Sequence, residues 1–188
     1  ARAGREVSTG LRVNRPSDDP LAARDAVLQR DVLSGVAGHR LGVSSATARL
    51  SSTDTALGHV GDILQRAREL AVQAANGTLA AKDREAIARE VDQLAESAKE
   101  AARVEVDGAE PFSGTATGTP PYAPGSDVYA GDAGVVTREV GPGVTVQVNV
   151  TAGAVLGSGQ GAADGKVLHV LRDLADHLRG GTAADLAA

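Results

Sequence analysis

Apolar and small residues recur along the first part of the chain at the spacing of a helix that packs along one stripe. The predicted stripe begins at Leu28 and ends at Ala74. Its members are Leu28, Val32, Gly35, His39, Gly42, Ala46, Leu50, Thr53, Leu57, Val60, Leu64, Ala67, Ala71 and Ala74. From Leu50 onward the steps alternate between three and four residues, which predicts one long helix with a coiled-coil-like seam.

The predicted helix has a start signal and a stop signal. Asp19 suits the N-cap, because its carboxylate can accept a backbone N–H of the first turn, and Pro20 suits the first helical position. Gly77 suits the end, since glycine readily adopts a left-handed conformation. Glycines within the stripe indicate either close approach of a neighbouring helix or a break near residues 38–42.

Two further helical stripes follow. Residues 79–104 carry apolar positions that step by four and three, and the short link before them predicts antiparallel packing on the first helix. These positions are Ile87, Val91, Leu94, Ala98 and Ala101. A third stripe runs through Asp164, Leu168, Leu171, Ala175 and Leu178.

The segment between the second and third stripes changes to Gly, Pro, Thr and alternating Val. Strands are predicted at residues 128–130, 135–140 and 144–150, with a turn at residues 141–143. The expected fold class is therefore mainly α: a long antiparallel helical rod, made of a coiled-coil-like hairpin and a short return helix, with a small inserted β-domain. The expected division is 1–106 for the first part of the helical rod, 107–160 for the β-domain and 161–188 for a truncated returning helix.

Composition narrows the function classes. Aromatic residues make up only 2% of the chain, which favours close-packed helices of Ala, Val and Leu over a bulky core. The absence of cysteine excludes disulfides, thiolate metal sites and cysteine nucleophiles. The formal net charge of −5 argues against nucleic acid as a partner, and no apolar run approaches the length of a membrane span. We also expect no cleavable leader, because the first residues lack the basic and apolar regions of one.

One group of residues has metal-ligand spacing. His169, Asp173 and His177 lie four residues apart on one face of the third helix, as a zinc site would require. A solvated flank beside the apolar stripe explains the same spacing, so metal binding stays a secondary alternative. The sequence shows no set of a nucleophile, a general base and a residue that would orient the base. We therefore expect neither an enzyme nor a cofactor.

Residues 8–23 read STGLRVNRPSDDPLAA, residues 49–57 read RLSSTDTAL and residues 64–78 read LQRARELAVQAANGT. These motifs resemble those of the flagellar hook-associated protein 3 family, the hook–filament junction proteins of the flagellin-like superfamily. The last block is shared broadly with flagellins, which usually have N-S-A-x-D-D-A where this chain has NRPSDDP. Residues 119–122, 129–132 and 142–150 resemble the middle domain of the junction proteins.

The resemblance implies a structural subunit that joins hook to filament, is exported through the flagellar type III channel and is extracellular. It implies as partners copies of itself, neighbouring hook-associated protein and flagellin subunits, and an export chaperone, with no nucleic acid and no membrane. The candidate subunit contacts are Arg15, Pro16, Ser17, Asp18, Asp19 and Pro20. A flagellin-type filament subunit remains the alternative.

The chain also resembles a fragment of such a protein. Residues 182–185 resemble the start of another helix, and the family's terminal segments and long return helix have no counterpart. We therefore expect the seam to be partly uncovered, with Leu50, Leu57 and Leu64 exposed in a line. Such a chain should either self-associate through that seam or fray.

Overall fold

The computed structural model describes residues 19–75 and 79–180. The fold is mainly α with one small antiparallel sheet of two strands, as predicted. Its elements are α1 (Pro20–Ala74), α2 (Ala81–Ala101), β1 (Thr137–Gly141), β2 (Val144–Gln147), α3 (Ala152–Val155) and α4 (Val167–Gly180), with single 3₁₀ turns at Pro111–Ser113 and Gln160–Ala162.

The first helix is unbroken over 55 residues, so the alternative of a break near residues 38–42 is wrong. It starts as predicted: the backbone N–H of Ala22 donates to the Asp19 carboxylate at 3.0 Å, and Pro20 occupies the first helical position. Asp19 thereby satisfies one of the backbone donors that a helix start leaves unpaired. The predicted stop at Gly77 lies outside the described residues.

The chain divides into two compact units. Of the described residues, the first unit comprises 19–44 and 139–145, and the second comprises 45–75, 79–138 and 146–180. In the second unit, α4 lies against α2, and its buried positions are the four apolar residues of the predicted third stripe. These are Leu168, Leu171, Ala175 and Leu178.

Within the second unit, α1 and α2 run antiparallel. Arg66 of α1 lies 2.6 Å from Glu90 of α2. Leu57, which comes earlier in α1, lines a small apolar cavity with Ala101, which comes later in α2. Alanine supplies many of the buried side chains, which lets the helix backbones approach closely. The buried alanines of the second unit are Ala46, Ala56, Ala67, Ala74, Ala88, Ala95, Ala98, Ala102, Ala152 and Ala175.

The seam of α1 differs from the predicted one at every second position. The inward line in the second unit is Ala46, Arg49, Thr53, Ala56, Val60, Ile63, Ala67, Leu70 and Ala74. The predicted positions Ala46, Thr53, Val60, Ala67 and Ala74 are confirmed. The intervening positions are shifted by one residue, so that Ala56 and Leu70 are buried where Leu57 and Ala71 were expected. The predicted line and the observed line both have heptad spacing. Packing against α2 selects the observed line.

The middle segment holds fewer strands than predicted. No strand forms at 128–130, where Tyr129 makes only an isolated bridge to Tyr122. The strand predicted at 144–150 ends at Gln147, because the Asn149 side chain takes over the pairing: its amide oxygen accepts from the Val136 N–H at 2.9 Å and its amide nitrogen donates to a backbone carbonyl. The predicted turn between the strands is confirmed, with Gly143 at a φ of 68°.

All three aromatic residues of the chain lie in this middle segment. Tyr122 is fully buried; its hydroxyl donates to the carbonyl of Gly157 at 2.7 Å, and its ring meets that of Tyr129 edge-on at 6.0 Å. Phe112 is also buried. A compact aromatic cluster therefore anchors a segment that has little regular secondary structure.

In the first unit, the tip of the β1–β2 hairpin lies against α1. A Cβ atom added at Gly42 would overlap the backbone carbonyl oxygen of Glu139, and His39 lies 3.6 Å from the Glu139 carboxylate. A Cβ atom added at Gly35 or Gly38 would meet no atom within 4 Å apart from the neighbouring backbone of its own helix. Close backbone approach, one of the two sequence-based explanations for these glycines, therefore applies at Gly42, but the approaching element is a strand and not a helix.

Replacing Gly42 with Ala should displace the hairpin tip from α1. The added methyl group removes a helix-propensity cost of up to about 1 kcal/mol, but overlap with a backbone oxygen costs about 1–3 kcal/mol. Gly38→Ala is the matched control, because it brings the same propensity gain into open space. Amide chemical shifts of residues 140–144 should move in the first variant only; unchanged shifts in both would contradict the close approach.

Candidate assembly surfaces

The predicted contact segment at the start of α1 is only partly described. Arg15, Pro16, Ser17 and Asp18 lie outside the described residues. Asp19 is half-buried and caps α1, which gives it a structural role, while Pro20 is exposed at the first turn. A role of this segment in subunit contacts stays a prediction.

The α1 segment of the first unit exposes all its large apolar side chains. Every Leu and Val between Pro20 and Ser44 leaves at least 45% of its surface exposed. They are Leu21, Val27, Leu28, Val32, Leu33, Val36, Leu41 and Val43. A helix that packs nothing against its apolar positions gains little from tertiary contacts, so this segment is a candidate surface for another chain.

In the second unit, the α1 seam leaves a flank of leucines outside the core. Leu50 is 40% exposed and Leu64 is 38% exposed, while Leu57 is half-buried against the core. The expected exposure of Leu50 and Leu64 is confirmed. The shifted seam explains it, because the buried line passes one residue before each of them.

A network of ion pairs joins α2, α4 and the segment around Asp127 in the second unit. The Arg172 guanidinium donates to Asp127 and Asp92, both at 2.7 Å, and to Glu96 at 2.6 Å. Lys99, only 4% exposed, donates to Asp127 at 2.8 Å. Because these five groups satisfy one another, the cluster fastens elements together and leaves no member free for acid–base chemistry.

The pKa values in this network follow from the pairing. The hydrogen bonds from Arg172, helped by Lys99, lower the pKa of Asp127 to about 2 despite partial burial. At Asp92, partial burial opposes ionisation, but hydrogen bonds from Arg179 and Arg172 outweigh it and lower the pKa. The Asp127 hydrogen bonds raise the pKa of Arg172. Asp127, Asp92 and Arg172 therefore stay charged across the neutral range.

Two of the residues with metal-ligand spacing, Asp173 and His177, approach each other to 3.7 Å, and the histidines have neighbouring backbone groups as partners. His169 Nδ1 accepts the backbone N–H of Gly165 at 3.1 Å, and His177 Nδ1 lies 2.8 Å from the carbonyl of Asp173 in its own helix. Over residues 19–75 and 79–180, no three His, Cys, Asp or Glu side chains form a group that could hold a metal ion. His169 and Asp173 are half-buried and His177 is exposed, all beside the apolar stripe of α4.

None of the helices in the described ranges is both long enough and apolar enough to cross a membrane.

The ion-pair network was not predicted from the sequence, although the sequence carries a signal for it. Asp92 and Glu96 lie one helical turn apart on α2, and Arg172 and Arg179 lie two turns apart on α4, each pair beside an apolar stripe. Acidic and basic pairs flanking the seams of neighbouring helices indicate cross-helix pairing. The role of Asp127 had no such signal, because it lies in an irregular segment.

Comparison with known proteins agrees with this architecture. Residues 1–117 match the family model described as the bacterial flagellin N-terminal helical region. Flagellar hook-associated protein 3 of Escherichia coli is 33% identical over 138 residues, which is 73% of this chain and 44% of that protein. The chain thus spans less than half the length of that relative. Several flagellins, from Treponema pallidum and Clostridium tyrobutyricum among others, align over only 89 to 95 residues.

Solved structures give the same likeness. A protein from Vibrio parahaemolyticus described as a flagellar hook-associated protein superposes with a TM-score of 0.78 at 27% identity, over 92% of this chain and 79% of that one. The flagellar junction protein FlgL of Legionella pneumophila superposes with a TM-score of 0.52 at 26% identity, over 73% of this chain and 42% of that one. The chain therefore belongs to the family defined by the flagellin N-terminal helical region, and within that family it is a relative of flagellar hook-associated protein 3.

Proposed function

We propose that this chain belongs to a non-catalytic structural subunit that joins the hook of the bacterial flagellum to its filament. The observation that carries the proposal is the extent of the likeness to hook-associated protein 3. That likeness covers 138 residues, whereas the flagellin alignments given above cover 89 to 95 residues. The longer alignment favours the junction protein over a filament protein.

The proposed partners are copies of the same chain, the neighbouring hook-associated protein and flagellin, outside the cell after export through the flagellar channel. An assembly subunit needs exposed surface that other chains can cover. The apolar side chains of α1 in the first unit, such as Val32 and Leu33, supply such surface. Residues 15–20, at the start of this helix, remain the candidate contact segment.

A flagellin-type filament subunit is the second candidate. The observation that favours it is the family match over residues 1–117, since that region is named for flagellin. Both candidates are structural proteins of the same organelle, and they differ in where the subunit is placed.

Labelling in cells separates the two candidates. The full-length gene carrying an epitope in an exposed loop should give label in a single ring at the distal end of the hook, and labelled flagellin serves as the control for continuous decoration. Deleting the gene should leave hooks without filaments and flagellin monomers in the medium. Label along the whole filament, or normal filaments after deletion, would overturn the junction role.

A further inference from the structure

Arg49 is a buried cation without a counter-charge. It lies on the inward line of α1 in the second unit, between Ala46 and Thr53, and only 4% of its surface is exposed. In the part of the chain that the structure describes, its guanidinium nitrogens Nε and Nη1 have no hydrogen-bond partner. Arginine cannot be deprotonated in proteins, so a full positive charge is held out of water. Unpaired buried polar groups are rare in native proteins, and each one points to a further role.

Two other cations in the second unit are buried or half-buried, and both are paired. Lys99, also 4% exposed, donates to Asp127 at 2.8 Å and lies 2.9 Å from Glu96. Arg172 donates to three carboxylates. Burying a cation without such partners destabilises a folded protein, because the charge loses its hydration and gains nothing in exchange. Arg49 departs from the pattern that these two residues follow.

α1 itself offers no counter-charge to Arg49. A side chain of the same helix could pair with Arg49 only from three or four residues away. These positions hold Ser45, Ala46, Ser52 and Thr53, none of which is charged. The Thr53 hydroxyl donates to the backbone carbonyl of Arg49 at 2.9 Å and leaves the guanidinium without a partner. The counter-charge therefore has to come from beyond α1.

We propose that Arg49 binds a carboxylate of a neighbouring copy of this chain in the assembled structure. Guanidinium and carboxylate groups form strong hydrogen bonds, often two in parallel, and arginine is enriched among the residues that dominate interfaces. Each copy has 24 acidic residues against 19 Lys and Arg, and it exposes Asp54 and Asp62 on α1. A second copy can therefore supply the missing charge. The contact rests on the proposed role as an assembly subunit and adds one residue and the chemistry of its partner.

The Arg49 side chain can reach such a carboxylate by a change of rotamer. Its Nε and Nη1 lose no hydrogen bond when the side chain turns outward, because they make none inside. The next residue, Leu50, is 40% exposed, so the surface of α1 begins one position away. A long side chain such as that of arginine can keep its stem on the protein while its charged end reaches the surface. Arg49 is therefore stored inside the free subunit and becomes available during assembly.

Thermal unfolding of the full-length subunit tests the unpaired state. Arg49→Met replaces a buried, unpaired charge with an apolar side chain of similar length, so it should raise the Tm by about 4 °C or more. Arg66→Met is the matched control in the same helix: it removes an exposed pair with Glu90 and should lower the Tm by no more than about 3 °C. An unchanged or lower Tm for Arg49→Met would show that the guanidinium is already satisfied, which contradicts the proposal.

Competition in cells tests the contact itself. Wild-type and variant full-length subunits are produced together with different epitopes, and their shares in purified flagella are compared. The share of Arg49→Met should fall about tenfold or more through the loss of a charged pair, although this variant folds at least as stably. Arg49→Lys keeps the charge and should fall less, and Arg66→Met should match wild type. Equal shares for Arg49→Met and wild type, or for the Met and Lys variants, would rule out the carboxylate contact.

Cross-linking identifies the partner, because the chain has no cysteine of its own. A photo-activated reagent attached at Leu50→Cys should join two copies of the subunit in purified flagella, and adding Arg49→Met should lower the yield. Adducts with a different flagellar protein alone would overturn the choice of a second copy. The junction role is decided separately by the position of the label in cells, so it can fail while the Arg49 contact stands.

Discussion

Replacing Asp127 with Asn is expected to lower the free energy of unfolding by about 3 kcal/mol. Asp127 accepts hydrogen bonds from both Arg172 and Lys99, and Lys99 is only 4% exposed. The amide keeps the size of the side chain but removes its negative charge. The buried ammonium of Lys99 then keeps only the half-exposed Glu96, at 2.9 Å, as a counter-charge, and Arg172 loses one of its three carboxylate partners. Breaking one partner of a buried pair is costly because the remaining charge stays out of water.

Glu100→Gln is the matched control for this variant. It removes the carboxylate at the end of α2 that pairs with Arg103 just beyond the helix. Such exposed pairs contribute about 0–1 kcal/mol. Urea unfolding followed by circular dichroism measures both changes. A loss below 1 kcal/mol for Asp127→Asn, or equal losses for the two variants, would contradict a stabilising role for the network.

The pairing of Asp127 with Arg172 and Lys99 also makes the free energy of unfolding depend on pH. The pKa of Asp127 is about 2 in the folded protein, below its ordinary value near 3.9, so the unfolded chain binds the proton first. The contribution of the ionised carboxylate is therefore fully present above about pH 4 and is lost as the pH falls towards 2, by an amount on the order of 2 kcal/mol. The stability difference between wild type and Asp127→Asn should shrink over this range; a constant difference would show that charge plays no part.

Local signals were sufficient to predict much of this fold. The Asp19 cap, the start of α1 at Pro20 and the buried stripe of α4 depend on residues within one or two helical turns. Propensity and periodicity report such features directly. The hairpin turn at residues 141–143 was predictable for the same reason, because glycine at position 143 allows the left-handed conformation.

Features that depend on distant residues were not predictable in the same way. Asp127 pairs with Arg172 across 45 residues, and Glu139 meets Gly42 only after the hairpin has folded back on α1. Asn149 ends β2 by bonding to Val136 and Gly134, which no alternation of Val residues reveals. Each of these contacts is determined by the tertiary arrangement, for which a single sequence carries little local signal.

The register of the α1 seam is an intermediate case. At each second seam position the sequence offers two neighbouring candidates, such as Ala56 and Leu57 or Leu70 and Ala71. Side-chain size favours the line through Leu50, Leu57 and Leu64. The close approach of α1 to the alanine-rich face of α2 leaves room mainly for the neighbouring line, one residue earlier at each of these positions. Periodicity therefore gives the existence of the seam, and packing between helices decides its register.

Leu70→Ala and Leu64→Ala together test that register. Leu70 is 1% exposed and belongs to the core, so its truncation should cost about 2–5 kcal/mol through lost burial and a residual cavity. Leu64 is 38% exposed on the flank, and its truncation should cost less than about 1 kcal/mol. Because the chemical change, the helix and the propensity gain are the same, chemical denaturation of the two variants compares burial alone. If the line predicted from sequence, through Leu64 and Ala71, were the buried one, Leu64→Ala would cost more than Leu70→Ala. Observing that result would show that the predicted register is the right one.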